Sequence, residues 1–169
     1  MKTISTSVSI TTTALITFML LLAGCDSSND ANDFELEFEE ITHSDITAMS
    51  AQMTGGLITI TDEDGIQTPR GTIIVYSTRN GYYGKLLVQE VDASENYDKT
   101  IDVVTFDEDG SEMVNVSGLL IQGTWFADLE NGREASLGDG RDYHYNRESE
   151  TDSYLEPVSG AVFTIHSTP

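Results

Sequence analysis

The chain has 169 residues, of which 29 are acidic and eight basic, for a formal charge of −21 at pH 7. A phosphate backbone or an anionic membrane surface calls for a basic patch, so this balance argues against nucleic acid as a partner and against membrane attachment through the body of the protein. The length suits one domain with a single core, and the acidic surplus reads as solubility, with divalent cation binding as the sharper alternative.

The chain opens on a polar prelude in which Lys2 is the only charge before Asp26. From Ala14 to Ala23, ALITFMLLLA is a ten-residue apolar run interrupted once, at Thr17. A helix that spans a bilayer needs about 20 apolar residues. The apolar core of an export signal needs only ~7–15. The run ends at Cys25, the only cysteine in the chain.

Leu22-Ala23-Gly24-Cys25 resembles the lipobox of bacterial lipoproteins, and the resemblance covers the signal alone. It implies that Cys25 carries a diacylglyceryl group and that the chain is cut before it. It also implies that the new amino terminus often takes a further acyl chain such as palmitate. A thiol is the best side-chain nucleophile for receiving a lipid. Each buried methylene is worth about 0.8 kcal/mol, and stable anchoring takes more than one chain. The competing reading is a buried apolar helix with an ordinary core cysteine. The following DSSNDAND argues against it, because so polar a string cannot form a core and reads as a flexible tether. In enteric lipoproteins an aspartate after the lipidated cysteine goes with inner-membrane retention. Asp26 stands there, which favours the inner membrane while leaving the choice of membrane open. The expected organisation is a signal over 1–24, a lipidated tether over 25–33 and one acidic β-domain over 34–169.

FELEFEEI (Phe34 to Ile41) alternates apolar and acidic residues, which predicts a half-buried strand. HSDITAMSAQM then predicts one short helix near residues 44–53, capped by Ser44 or Asp45, with Ile46, Met49 and Met53 at helical spacing. Strands follow at GLITIT (56–61), TIIVYST (72–78), YYGKLLVQEV (82–91), TIDVVTF (100–106), SEMVNVS (111–117), LLIQGTWFADL (119–129) and GAVFTIH (160–166). Glycine, asparagine and aspartate punctuate them, and no long helical period appears. The predicted class is all-β, an antiparallel β-sandwich or barrel. Glu130 to Ser159 breaks the rhythm as a long polar stretch that reads as a functional or disordered loop, with RDYHY (141–145) as a short edge strand inside it. The glycine of YYGKLLV reads as a bulge.

DEDG occurs at Asp62 and again at Asp107. An EF-hand loop places its glycine sixth after acids at positions 1, 3 and 5. Here glycine is fourth, and a hairpin turn with a left-handed glycine accounts for it. His43, His144 and His166 are far apart in sequence with no cysteine pair beside them, so no metal or other cofactor is expected. None of the local patterns G-x-S-x-G, G-x-x-x-x-G-K or H-E-x-x-H occurs. The aromatic residues carry more information. If Phe126 faces the core then Trp125 faces out, and the reverse is equally open. An exposed Trp125 beside Arg141, Tyr143, His144 and Tyr145 would make a platform for a sugar ring or a peptide. The alternative is that these aromatics pack in the core.

The functional expectation is a lipid-anchored protein of the bacterial cell envelope or periplasm with a non-catalytic binding or structural role. Its partners would be the membrane, through the lipid, and an envelope protein or glycan. Two alternatives stand beside it: an envelope hydrolase using carboxylate chemistry, and a calcium-dependent adhesion module.

Overall fold

The runs rich in β-branched and aromatic residues form strands in the computed structural model, which describes residues 30–61, 68–92, 94–136, 140–149 and 152–169. The signal, Cys25, the start of the tether and the first DEDG lie outside the described residues. In chain order the strands are β1 (Ile73–Ser77), β2 (Tyr83–Asp92), β3 (Asp98–Phe106), β4 (Glu112–Ile121), β5 (Phe126–Asp128), β6 (Arg133–Ala135), β7 (Tyr143–Ser149), β8 (Asp152–Pro157) and β9 (Val162–Ser167). They build two antiparallel sheets, ordered β4-β3-β2-β1-β9 and β6-β5-β7-β8. The fold is therefore all-β and sandwich-like, with no closed barrel among the described residues.

Between the sheets lies the main core. Ile74, Tyr76, Leu86, Val88, Ile101 and Val103 of the larger sheet meet Ala127, Tyr143, Tyr145 and Leu155 of the smaller one. Phe163 joins them, its ring 5.7 Å from that of Tyr76 and 6.1 Å from that of Tyr143. Alternation sends Ile73, Val75, Leu87, Val104 and Phe106 to the opposite face of the larger sheet. There they are covered by two helices, α1 (Asp30–Glu40) and α2 (His43–Ala48). Burial on both faces is why IIVY in β1 is apolar without a break.

The strand expected at Phe34 to Ile41 is thus a helix. Phe34, Phe38 and Ile41 also recur at i, i+4 and i+7, and glutamate favours helix over strand. Phe38 and Ile41 are buried against the sheet, whereas Leu36, apolar by the alternating pattern, is 63 % exposed. The helix starts at Asp30, so the last residues assigned to the tether are helical. The second helix falls in the expected stretch but is shorter, His43–Ala48 where 44–53 was expected. Its cap is Thr42: the Thr42 hydroxyl accepts from Asp45 N–H, and the Asp45 carboxylate accepts from Thr42 N–H at 2.9 Å. Asp45 is the third helical residue of this capping box, not the cap. A 3-10 turn at Ser50–Gln52 follows.

Three further expectations change. GLITIT forms no ladder; the segment crosses from one sheet to the other, with Thr54 paired to Phe163 on β9 and Ile58 to Leu155 on β8. It thereby covers part of two sheet edges that would otherwise be open. SEMVNVS and the start of LLIQGTWFADL are one strand, β4, with a register shift beside Gly118, whose N–H donates to Asp102 Oδ1 at 2.8 Å. Glu130 to Ser159 is not one loop, since it holds β6, β7 and β8. RDYHY feeds β7, which lies between β5 and β8 and is an interior strand, not an edge. The bulge in β2 falls at Gln89 rather than at glycine; Gly84 pairs in register with Tyr76, and its missing side chain makes room for the Tyr76 ring.

Candidate functional site

The five residues singled out in the sequence part into three places. Tyr143 and Tyr145 are fully buried in the main core, so neither can offer a face to a ligand. This corrects their expected place in an exposed platform. Their spacing of two on an interior strand points both rings inward, the packing alternative that the sequence left open.

Arg141 and His144 lie on the outer side of the smaller sheet. The His144 ring stacks on Phe126 at 4.3 Å between centroids, and the Arg141 guanidinium sits 4.7 Å over the same ring. His144 Nδ1 is 3.6 Å from Glu156 Oε2. These contacts make a local stack that ties β5, β7 and β8 together. Phe126 therefore faces outward.

Trp125 stands apart from that stack. It precedes β5 on the side that Ala127 and Tyr145 face, but at the rim of the sandwich, where it remains 40 % exposed. It borders a cleft of about 490 Å³. The loop from β2 to β3 contributes Ser94, Glu95 and Asn96, and β3 opens with Asp98. The loop from β4 to β5 contributes Gln122 and Gly123. The two loops are locked together. Gly123 N–H donates to Asp98 Oδ1 at 2.8 Å, and Tyr145 hydroxyl donates from the core to Tyr97 O at 2.6 Å. A Cβ on Gly123 would fall 2.6 Å from Asn96 O, so only glycine permits this approach. Asn96 and Tyr97 hold positive φ, 60° and 59°, as the central pair of a Glu95–Asp98 hairpin turn, and Thr124 holds 72°. For a β-branched residue such as Thr124 that is a true outlier. Strain of this kind persists only where surrounding contacts over-determine it, and it gathers at functional sites.

Beside Asp128, which pairs locally with Arg133 and Asn131, sequence reasoning missed three buried ionisable groups whose partners are distant in sequence. Lys85, 4 % exposed, projects from the helix-covered face of the larger sheet toward α1. Its Nζ donates to the carbonyls of Phe38 and Ile41, the latter at 2.9 Å, and lies 4.6 Å over the Phe38 ring. Burial pulls its pKa down from the usual lysine value. Lys99 Nζ donates to Thr68 O at 3.4 Å and lies 4.7 Å over the Tyr145 ring, and burial pulls it down to about 7. Asp142 accepts from Leu129 N–H at 2.8 Å and from Arg79 N–H at 3.4 Å. Desolvation pushes Asp142 up to about 6, with Glu130 and Asp128 adding repulsion. A residue pattern cannot reveal these groups, because each gains its partners from distant parts of the chain.

The second DEDG is the β3–β4 hairpin turn. Gly110 has φ of 84°, and Asp109 Oδ1 accepts from Ser111 N–H at 2.9 Å. The histidines make separate contacts: His43 against Tyr83 and Phe106, His144 against Phe126, and His166 against Glu37. Among the described residues no three His, Cys, Asp or Glu side chains converge as metal ligands, and no helix is long and apolar enough to cross a membrane. Comparison with known proteins gives no match to any family model, curated protein or solved structure.

Proposed function

We propose that this chain is a bacterial cell-envelope lipoprotein: exported, cut before Cys25, and held to a membrane by acyl chains on that residue. Its β-sandwich serves a non-catalytic binding or structural role toward an envelope protein or glycan. The observation that carries this reading is the place of the only cysteine, which ends an apolar run as Leu22-Ala23-Gly24-Cys25 and is followed at once by a polar string. Two or more acyl chains hold a protein stably without a spanning helix. An anchor of this kind also suits a body whose own charge repels anionic lipid.

The test is metabolic labelling with an alkyne-bearing palmitate analogue in a bacterial host, followed by mass spectrometry of the amino terminus. An acylated Cys25 at the new terminus is the expected result, and C25A should lose the label and accumulate as uncut precursor. An intact Met1, or a free thiol at position 25, would overturn the reading.

A carboxylate-using envelope hydrolase is the second reading, and one observation favours it. Asp142 stays protonated to about 6, in the range a general acid needs, with Asp128 and Glu130 near it. Against this, both Asp142 oxygens accept backbone N–H groups and the side chain is buried, which suits a structural staple better than a reacting group.

A further inference from the structure

We propose that the cleft beside Trp125 binds a neutral carbohydrate; this deepens the binding half of the reading above and rests on it. Trp125 is the only tryptophan in the chain, and it is exposed at a rim rather than spent in the core. The C–H face of a pyranose ring packs on an indole, and the indole N–H can serve a hydroxyl. Around it stand Asp98, Glu95, Asn96 and Gln122, with the Ser94 hydroxyl. Carboxylates accept and carboxamides both donate and accept, while the Ser94 hydroxyl, which donates to Asp92 Oδ1 at 2.7 Å, keeps an acceptor. That mixture fits neighbouring sugar hydroxyls, which themselves do both.

Charge narrows the class. No Lys, Arg or His lines the cleft among the described residues, and two carboxylates do. A phosphate, sulfate or uronate would meet repulsion there, on a protein already strongly anionic. A peptide would look for several apolar pockets, and among the described residues the cleft offers one apolar side chain. Its volume of about 490 Å³ suits a ligand of one or two rings.

The site is also built in advance. Gly123 closes one loop onto the other, Asp98 fastens it with one oxygen and keeps a second acceptor, and Tyr145 pins Tyr97 from the core. Three non-glycine residues are held at positive φ around this one cleft. Bonded to each other and to the core, the two loops are fixed before any ligand arrives. Held rigid, they lower the ordering cost of binding a flexible, weakly gripped ligand.

Trp125 reports on the cleft directly, since its emission is the only tryptophan signal. The full chain, purified in a detergent without a sugar headgroup, is titrated with cellohexaose, maltohexaose, xylohexaose and chitohexaose, and with polygalacturonate as the anionic comparison. At least one neutral oligosaccharide should give a saturable change with a Kd of about 1 mM or tighter. By calorimetry, W125A and the second variant Q122A should each bind at least ~10-fold more weakly with unchanged circular dichroism. No saturable change with any neutral oligosaccharide, tighter binding of polygalacturonate, or full affinity in both variants would overturn the proposal. Labelling of Cys25 is scored on the same preparation. A lipidated but sugar-blind protein sinks this proposal alone, and an unlabelled protein that binds sugar sinks the anchor alone.

Discussion

Asp142 shows how one side chain can serve both sheets. Its carboxylate holds Arg79 in the β1–β2 turn of one sheet and Leu129 at the end of β5 in the other, while its own carbonyl accepts from Val158 N–H at 2.9 Å. Thr105 adds a second polar link, accepting from the Tyr76 hydroxyl at 2.7 Å and donating to Leu129 O at 2.6 Å. D142A should lose about 1–3 kcal/mol, because it leaves the buried Leu129 N–H unpaired. The pH dependence has a definite sign. The folded pKa of about 6 lies above the ordinary 3.8, so between these values the native state binds more protons than the unfolded one. Ionising Asp142 therefore opposes folding, and its contribution is present below about 4 and lost as pH rises through about 6. Denaturant unfolding of D142N should lack this fall, so that wild type minus variant stability decreases from pH 4 to pH 7. A difference that grows over that range would refute the assignment.

At the scale of elements, the junction between α1 and the sheet is the most informative. The last carbonyls of a helix lack intrahelical donors and carry the negative end of its dipole. No basic residue stands in the last turn of α1. Lys85 of β2 supplies the cation from outside and meets the Phe38 and Ile41 carbonyls directly. The helix is thus latched to a central strand, five residues after Cys25 in sequence. K85M keeps the apolar stem and removes the donors. It should lower stability by about 1–3 kcal/mol and raise amide exchange in Phe34–Glu40, while exchange in β7 stays slow. Wild-type protection of α1 in K85M would show that apolar packing of Phe38 and Ile41 suffices without the latch.

For the whole molecule, net charge governs the energetics outside the core. Removing residues 1–24 leaves seven basic against 29 acidic residues. Self-repulsion on that scale destabilises the compact state. Raising sodium chloride from about 0.1 M to about 1 M shortens the screening length from about 10 Å to about 3 Å. The melting temperature should rise by several degrees, given that 1 kcal/mol corresponds to roughly 2–4 °C in a domain of this size. A melting temperature that stays flat or falls would mean that local ion pairs outweigh the net repulsion. The same anionic surface keeps the Trp125 cleft selective against acidic ligands.

The sequence by itself determined the all-β class, the strands β1, β2, β3 and β9, the short helix after residue 42 and the acidic hairpin turn at Asp107. These follow from local residue choice, which needs no knowledge of distant partners. The lipobox-like pattern at Leu22–Cys25 is likewise local in sequence, and the anchor it implies is the proposal made above. Tertiary structure decided the rest. FELEFEEI satisfies both a period of two and the i, i+4, i+7 pattern, and a sheet face in need of cover selected the helix. Glu130 to Ser159 looked empty of core residues because tyrosine supplies much of its buried surface, and tyrosine is equally at home outside. Trp125 was legible as a candidate, but its neighbours were not: Asn96 and Asp98 reach it only because β2 and β3 place their connecting loop beside the turn before β5. A binding cleft made by two loops distant in sequence depends on how the sheets stack, and only the packed core sets that.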